Sequence, residues 1–360
     1  MRHHTMFFAI GGILTLLAPA LQARAMDDAG PGPDTVPGSG SRPPKVAPLF
    51  EQPGVLTPHG TYVLEPTLQY AYSSSDRIGI AGYALIATLF TPRVDVREAR
   101  RNSTTASLTA RYGVTNRFEV EVRVPYVYRS DAMASREIVN GAAADRVFDA
   151  SGKTIGDAEL AARYQLNEGG LNRPYFVAGL RFKSRTGRDP FEVTTDCVTR
   201  CTGPGAAGTG LQLDLPTGSG FYALEPNLAW FMPSTPVTFF GTFSYMHNFK
   251  RNNLSRKIVN GESEFLGDIT PPDSFGFNVG VGFALNDKVT VSVGYDHISI
   301  TRARQNDQTL PGSLRTQLGT LMAGFSYRLD PHRTVNVSVG AGLTPDAPDI
   351  GLMVRIPFAF

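Results

Sequence analysis

The chain has 360 residues, 42% of them hydrophobic, with 37 Gly, 22 Phe and 13 Tyr, and its 34 Lys and Arg nearly balance 32 Asp and Glu. That balance, with no basic stripe, excludes nucleic acid as a partner, because nothing is there to neutralise phosphates. The length exceeds a small domain, and the glycine and aromatic content suits a long antiparallel sheet with aromatic girdles.

At the N-terminus, Arg2 precedes the apolar stretch Met6 to Leu21, which leads into the small-x-small sequence Ala23-Arg24-Ala25. This is the pattern of a cleaved export signal over residues 1–25. The apolar run is too short for a membrane anchor and is interrupted by Gly11, Gly12 and Pro19. Cleavage removes Arg2 and Arg24 and no acid, so the mature chain from Met26 has equal numbers of acidic and basic residues. Residues 26–58 are rich in Pro, Gly, Ser and Asp and cannot bury enough surface to fold alone. They predict a flexible periplasmic lead-in, or a plug whose Leu49 and Phe50 enter a pore.

No later stretch approaches the roughly 18 apolar residues of a helical span, so a mature chain that crosses a membrane does so with strands. From 59 to 360 the sequence alternates period-two segments with turn clusters. The fold class predicted is all-β: a transmembrane antiparallel up-and-down barrel of about 12 strands. The strands are placed at 61–73, 96–112, 117–129, 156–166, 174–186, 219–231, 237–249, 274–285, 289–302, 314–328, 334–344 and 350–360. Long loops are placed at 74–95, 130–155, 187–218, 250–273 and 303–313, alternating with short turns as barrels require. A further strand in the apolar segment 79–90 would put the termini on opposite sides, so that segment is left unassigned. The last strand turns Leu352, Val354, Ile356, Phe358 and Phe360 to lipid and closes the barrel.

Aromatic rings supply an independent check, since amphipathic rings belong at the two interfaces. Tyr70, Tyr126, Tyr128, Tyr245, Phe249 and Tyr295 fall towards the loop end; Tyr112, Tyr164, Trp230, Phe283, Tyr327 and Phe360 fall towards the other. A soluble sandwich has no reason to make two belts.

Residues between lipid-facing ones point inward. This nominates Glu119, Glu121, Arg123, Asp157, Glu159, Arg163, Arg181 and Lys183 as pore-lining. Either mutual pairing or water must relieve so many enclosed charges, and the reading adopted is a wet passage. Strands 274–285 and 334–344 send in Gly276, Asn278, Gly280, Gly282, Asn336, Ser338, Gly340 and Gly342 instead. That bare wall leaves room for an inward loop or the N-terminal arm. An internal echo, Leu64-Glu65-Pro66 and Leu224-Glu225-Pro226, sends two more glutamates inward, with the prolines expected at bulges.

Cys197 and Cys201 permit a local disulfide in an exported loop, and no nearby His supports a metal site; no cofactor is expected. Asp296-His297-Ile298-Ser299 is the nearest approach to catalytic residues, with His297 and Ser299 both outward. Such positions lie about 6.6 Å apart along a strand, too far for direct activation of a nucleophile, so no catalytic residue is expected. There is no Gly-x-Ser-x-Gly elbow, phosphate loop or His-Glu-x-x-His helix either.

Several short motifs carry a resemblance: Gly54-Val55-Leu56-Thr57-Pro58, Leu64-Glu65-Pro66, Val94-Asp95-Val96-Arg97-Glu98, Leu108-Thr109-Ala110-Arg111-Tyr112-Gly113 and Val122-Arg123-Val124-Pro125-Tyr126. Together they resemble the outer-membrane channels of the phenol meta-pathway transporter family, to which the functional-amyloid secretion channels are related. The resemblance covers most of 54–360 and implies a small-bore outer-membrane channel. The amyloid-secreting branch carries a helical plug and a coiled coil ahead of its barrel. Residues 27–53 have no heptads and many prolines, which argues against a trimeric exporter and leaves 46–53 as a reduced plug.

The function expected is passive passage of small polar or aromatic solutes across the outer membrane. The alternatives are a gated export pore for a secreted polypeptide and a closed structural or surface-binding barrel. Partners expected are outer-membrane lipid and a small-molecule solute or secreted polypeptide.

Overall fold

The structure, a computed structural model, describes residues 56–75, 95–139, 142–195, 212–310, 313–330 and 332–360. Leu49, Phe50, Cys197, Cys201, the export signal and segment 79–90 lie outside the described residues. The strands are β1 (Tyr62–Ser75), β2 (Asp95–Thr115), β3 (Phe118–Val139), β4 (Ala142–Ile155), β5 (Glu159–Gln165), β6 (Tyr175–Lys183) and β7 (Thr194–Thr195). They continue as β8 (Ala223–Ser234), β9 (Val237–Asn248), β10 (Arg251–Ile258), β11 (Ser263–Thr270), β12 (Ser274–Ala284) and β13 (Val289–Ile300). The chain ends with β14 (Arg304–Gln305), β15 (Gln308–Thr309), β16 (Thr316–Arg328), β17 (Thr334–Gly342), β18 (Ile350–Arg355) and β19 (Phe358–Ala359).

Sequential antiparallel pairing runs β1-β2-β3-β5-β6-β8-β9-β12-β13-β16-β17-β18, and β18 pairs back onto β1, Tyr72 opposite Ile350 and Thr67 opposite Arg355. β19 prolongs β18 along β1, Leu64 opposite Phe358, so the two are pieces of one last strand. The result is a closed twelve-stranded barrel with every expected strand in place. Closure leaves no unpaired edge in the barrel wall, which a membrane requires.

The outward rows are apolar and exposed: Leu108, Val124, Leu160, Phe243, Val293 and Leu321 represent six strands around the wall. An apolar band of this extent is untenable in water and stable in lipid, where each such side chain is worth about 1.5–3 kcal/mol. Rings sit at the ends of the band, with Tyr62 stacked on Tyr112 at 4.6 Å near the termini and Tyr126 and Tyr128 exposed towards the loops.

Three local expectations are corrected. Residues 130–155 are not a loop: β3 runs on to Val139 and turns into β4, pairing from Tyr126–Ile155 to Val139–Ala142. This hairpin rises beyond the lipid band, so no apolar row announces it. Segment 250–273 likewise holds the β10–β11 hairpin, which with β7, β14 and β15 forms a small sheet at the loop end. The prolines of the echo make no bulge. Pairing stops at Pro66 and at Pro226 on one side only and resumes in the same register, because proline removes a donor without adding a residue. Register shifts lie elsewhere, and one of them bears on the lumen. Between β4 and β5 the register against β3 shifts by one residue, Ile155 facing Tyr126 but Glu159 facing Arg123, and this turns Asp157 and Glu159 inward.

Candidate functional site

The site is the barrel lumen, and it is closed in three tiers. At the end where β1 begins and β19 stops, residues 56–61 fold in. Leu56 is buried against Val177 and Phe231, with Tyr175, Ala229 and Phe240 around them. Tyr175 and Phe231 stack at 4.6 Å, so Leu56 sits in an apolar collar. The Thr57 N–H donates to Oε2 of Glu119 at 2.6 Å, and the Gly60 N–H donates to the Gly113 carbonyl. Gly113 makes this seat possible, because a Cβ there would lie 2.0 Å from the Pro58 carbonyl oxygen.

The middle tier is charged on one side only. All eight nominated residues are brought together on the inner surface of β3, β5, β6 and the bulge before β5, with Glu119 and Asp157 almost wholly buried. They are paired. Arg163 bridges Glu119 (2.9 Å) and Glu121, and Arg181 bridges Glu159 (3.3 Å) and Glu225. Arg123 lies 3.8 Å from Glu159, and Arg111 pairs with Glu65. Arg111 and Arg355 were missed by the sequence reading and also line this wall. An odd-even count along β2 and β18 would have found them, but nothing local shows that partners wait on neighbouring strands. Pairing compensates for burial here: removing one member of a buried pair costs about 3–5 kcal/mol, since the other is left uncompensated.

The opposite half of the lumen, from β9 through β17, is largely neutral, with Asp296 of β13 its inward carboxylate. Thr242, Ser292, Ser326, Asn336 and Ser338 are buried there among glycines. The expected bare wall is real, but its space goes to other occupants than an arm. A Cβ on Gly280 would strike the ring of Phe240, one on Gly340 the sulfur of Met322, and one on Gly342 the Pro348 carbonyl. Between the two halves remains a cavity of about 40 Å³, lined among others by Glu65, Glu121, Arg123, Arg181 and Arg355. That is room for about three waters. The middle tier is thus largely a paired ladder with a small wet gap, rather than the continuous wet passage that the alternation alone suggested.

The third tier closes the loop end. Segments 184–195 and 212–222 fold into the mouth, where Phe191 and Phe221 meet edge to face at 5.8 Å over Leu254, Ile269, Ile300 and Leu318. Buried carboxylates fasten them. Asp157 Oδ2 accepts the Ser219 N–H (2.7 Å) and hydroxyl (2.6 Å), and Oδ1 accepts the Gly187 N–H (3.1 Å). Asp189 accepts the Phe191 N–H at 2.7 Å and pairs with Arg251. Burial nevertheless holds the Asp189 carboxyl above its ordinary range, the Phe191 N–H and Arg251 opposing that rise.

His297 and Ser299 are outward, as expected, and do not touch. Gln317 stands between them, its Oε1 3.0 Å from His297 Nε2 and its Nε2 2.8 Å from Ser299 Oγ. An amide in that place transmits no proton from hydroxyl to imidazole.

No family model matches the chain. Among solved structures it is similar to an outer-membrane channel from Pseudomonas putida F1, with a TM-score of 0.57 and 12% identity over 85% of this chain and 98% of that one. The fold is that of an outer-membrane β-barrel. Lesser likenesses, with 11% identity each, are to the translocator domain of the autotransporter NalP from Neisseria meningitidis and to the CymD monoaromatic hydrocarbon channel. The first has a TM-score of 0.43 over 84% of this chain and 89% of that one, the second 0.42 over 84% and 88%.

Proposed function

We propose that this protein is an outer-membrane channel for passive passage of small polar or aromatic solutes, held closed at rest by its own chain. The observation that carries the reading is that both ends are stopped by segments outside the barrel wall, Leu56–Thr57 at one and 184–195 with 212–222 at the other. These segments are fastened by a few hydrogen bonds each. A purely structural barrel needs no removable stoppers over a charged interior, whereas a channel does. With the stoppers withdrawn, a solute would pass Glu119, Glu121, Arg123, Asp157, Glu159, Arg163, Arg181 and Lys183 on one side and a largely uncharged wall on the other. A solute with both an apolar body and a dipole would suit this sequence of apolar collar, charged lane and apolar mouth. The resemblance to phenol meta-pathway channels and the likeness to an outer-membrane channel support the same reading.

Domain limits follow: residues 1–25 as export signal, 26–58 as lead-in with its last residues as stopper, and 59–360 as barrel. The test is single-channel conductance of the refolded mature chain in a planar bilayer, beside a form lacking residues 26–57. Brief openings in the first and more frequent openings in the second, which keeps the loop-end stopper, would support the reading. Conductance only after truncation would favour gated export of a polypeptide. Silence in both, from a folded heat-modifiable barrel, would sink the channel.

A further inference from the structure

The outward face of β13 and β16 at the loop end carries a polar array that the lumen does not use. We propose that it binds the phosphorylated sugar headgroup of a glycolipid in the adjacent leaflet. Height is the first observation. Val289 faces Tyr327 at the termini end and Ser299 faces Gln317 at the other. The ten residue steps from Val289 to Ser299 span roughly 33 Å along the strand, or roughly 25 Å along the axis at the usual tilt. That matches the apolar band of such barrels, so the array lies where headgroups begin.

Chemistry is the second. Tyr295 OH and His297 Nδ1 are 3.0 Å apart, His297 Nε2 and Gln317 Oε1 3.0 Å, and Gln317 Nε2 and Ser299 Oγ 2.8 Å. With the amide oxygen accepting from Nε2–H, Nδ1 accepts from the tyrosine, the amide donates to Ser299, and the Ser299 hydroxyl proton is left for an outside acceptor. Phe277, Tyr295 and His297 form a ring platform beside it, with centroids 5.3 to 6.1 Å apart. Gly319 opposes this platform from β16 and clears the space that the Tyr295 hydroxyl occupies. Hydroxyl and amide donors beside ring faces suit a sugar.

Charge is the third. Arg315, two positions before Gln317, and Arg302, three after Ser299, are exposed and have no ion-pair partner among the described residues. The nearby carboxylates are engaged: Asp346 accepts the Gln317 N–H, and Asp273 is held by Tyr245, His247 and the Asn248 N–H. Two exposed guanidinium groups within three residues of the array, with no ion pair among the described residues, fit a sugar phosphate and exceed what a simple interfacial tyrosine belt needs.

The test is native mass spectrometry of the full mature protein in detergent, titrated with a bis-phosphorylated disaccharide glycolipid, phosphatidylglycerol or free glucose 1-phosphate. The wild type should retain the glycolipid. The double variant Arg302→Gln, Arg315→Gln should retain at least tenfold less, as should Ser299→Ala with His297→Ala. Lys153→Gln, an exposed loop-end lysine on another strand, should change nothing. Heat-modifiable migration confirms folding, which the exposed arginines do not threaten. Equal retention by wild type and both variants would overturn the proposal. So would equal retention of phosphatidylglycerol, which would mean a generic anionic surface. Glucose 1-phosphate competing as strongly as the glycolipid would replace the lipid assignment with a free-phosphate site.

Discussion

The carboxylate of Glu119 accepts the backbone N–H of Thr57 at 2.6 Å, across 62 positions of sequence, while its other oxygen accepts Arg163 at 2.9 Å. One side chain therefore belongs both to the stopper and to the charged lane. Glu119→Gln keeps an acceptor for one partner and loses the ion pair. Open probability in a planar bilayer should rise severalfold, with a lower unfolding temperature. Unchanged gating would remove Glu119 from the closure.

Gly113→Ala tests the seat of the arm without touching any charge. An added Cβ would meet the Pro58 and Thr57 carbonyl oxygens at 2.0 and 2.4 Å, so Leu56–Pro58 must leave. Conductance should match that of the form lacking residues 26–57. A deletion ending at residue 53 should behave as wild type, since it spares Leu56 and Thr57.

Asp157→Asn tests the other closure. The new amide NH2 would face either the Gly187 N–H or the two Ser219 donors, and each buried donor left unpaired costs about 1–3 kcal/mol. Limited proteolysis should cut within 184–222 several times faster, with the barrel intact by heat-modifiable migration. The Glu119→Gln variant should not share this sensitivity.

Asp189 gives the loop closure a pH dependence. Its folded carboxyl lies above the ordinary value, so the docked loop binds a proton more tightly than the free loop. Docking is therefore most favourable below about pH 4, the ordinary Asp value, and weakens as pH rises through the raised one. Proteolysis rates of the loop measured across pH 4 to 7 should rise with pH beyond the protease's own profile. Asp189→Asn should flatten the trend.

The sequence by itself determined the strands, their number and the face of each side chain. Alternation is a local property of an extended backbone, and lipid on one side imposes it on every strand from Leu64 to Leu352. It could not show the β3–β4 hairpin, whose strands carry no apolar row, nor the one-residue shift that aims Asp157 at Ser219. Only the tertiary structure decided that Arg181 meets Glu225, that Arg111 meets Glu65, and that Leu56 fills the collar of Val177 and Phe231. Those pairings depend on the register between strands and on where chain outside the wall comes to rest. Both are set by closure of the whole sheet, which no single segment contains.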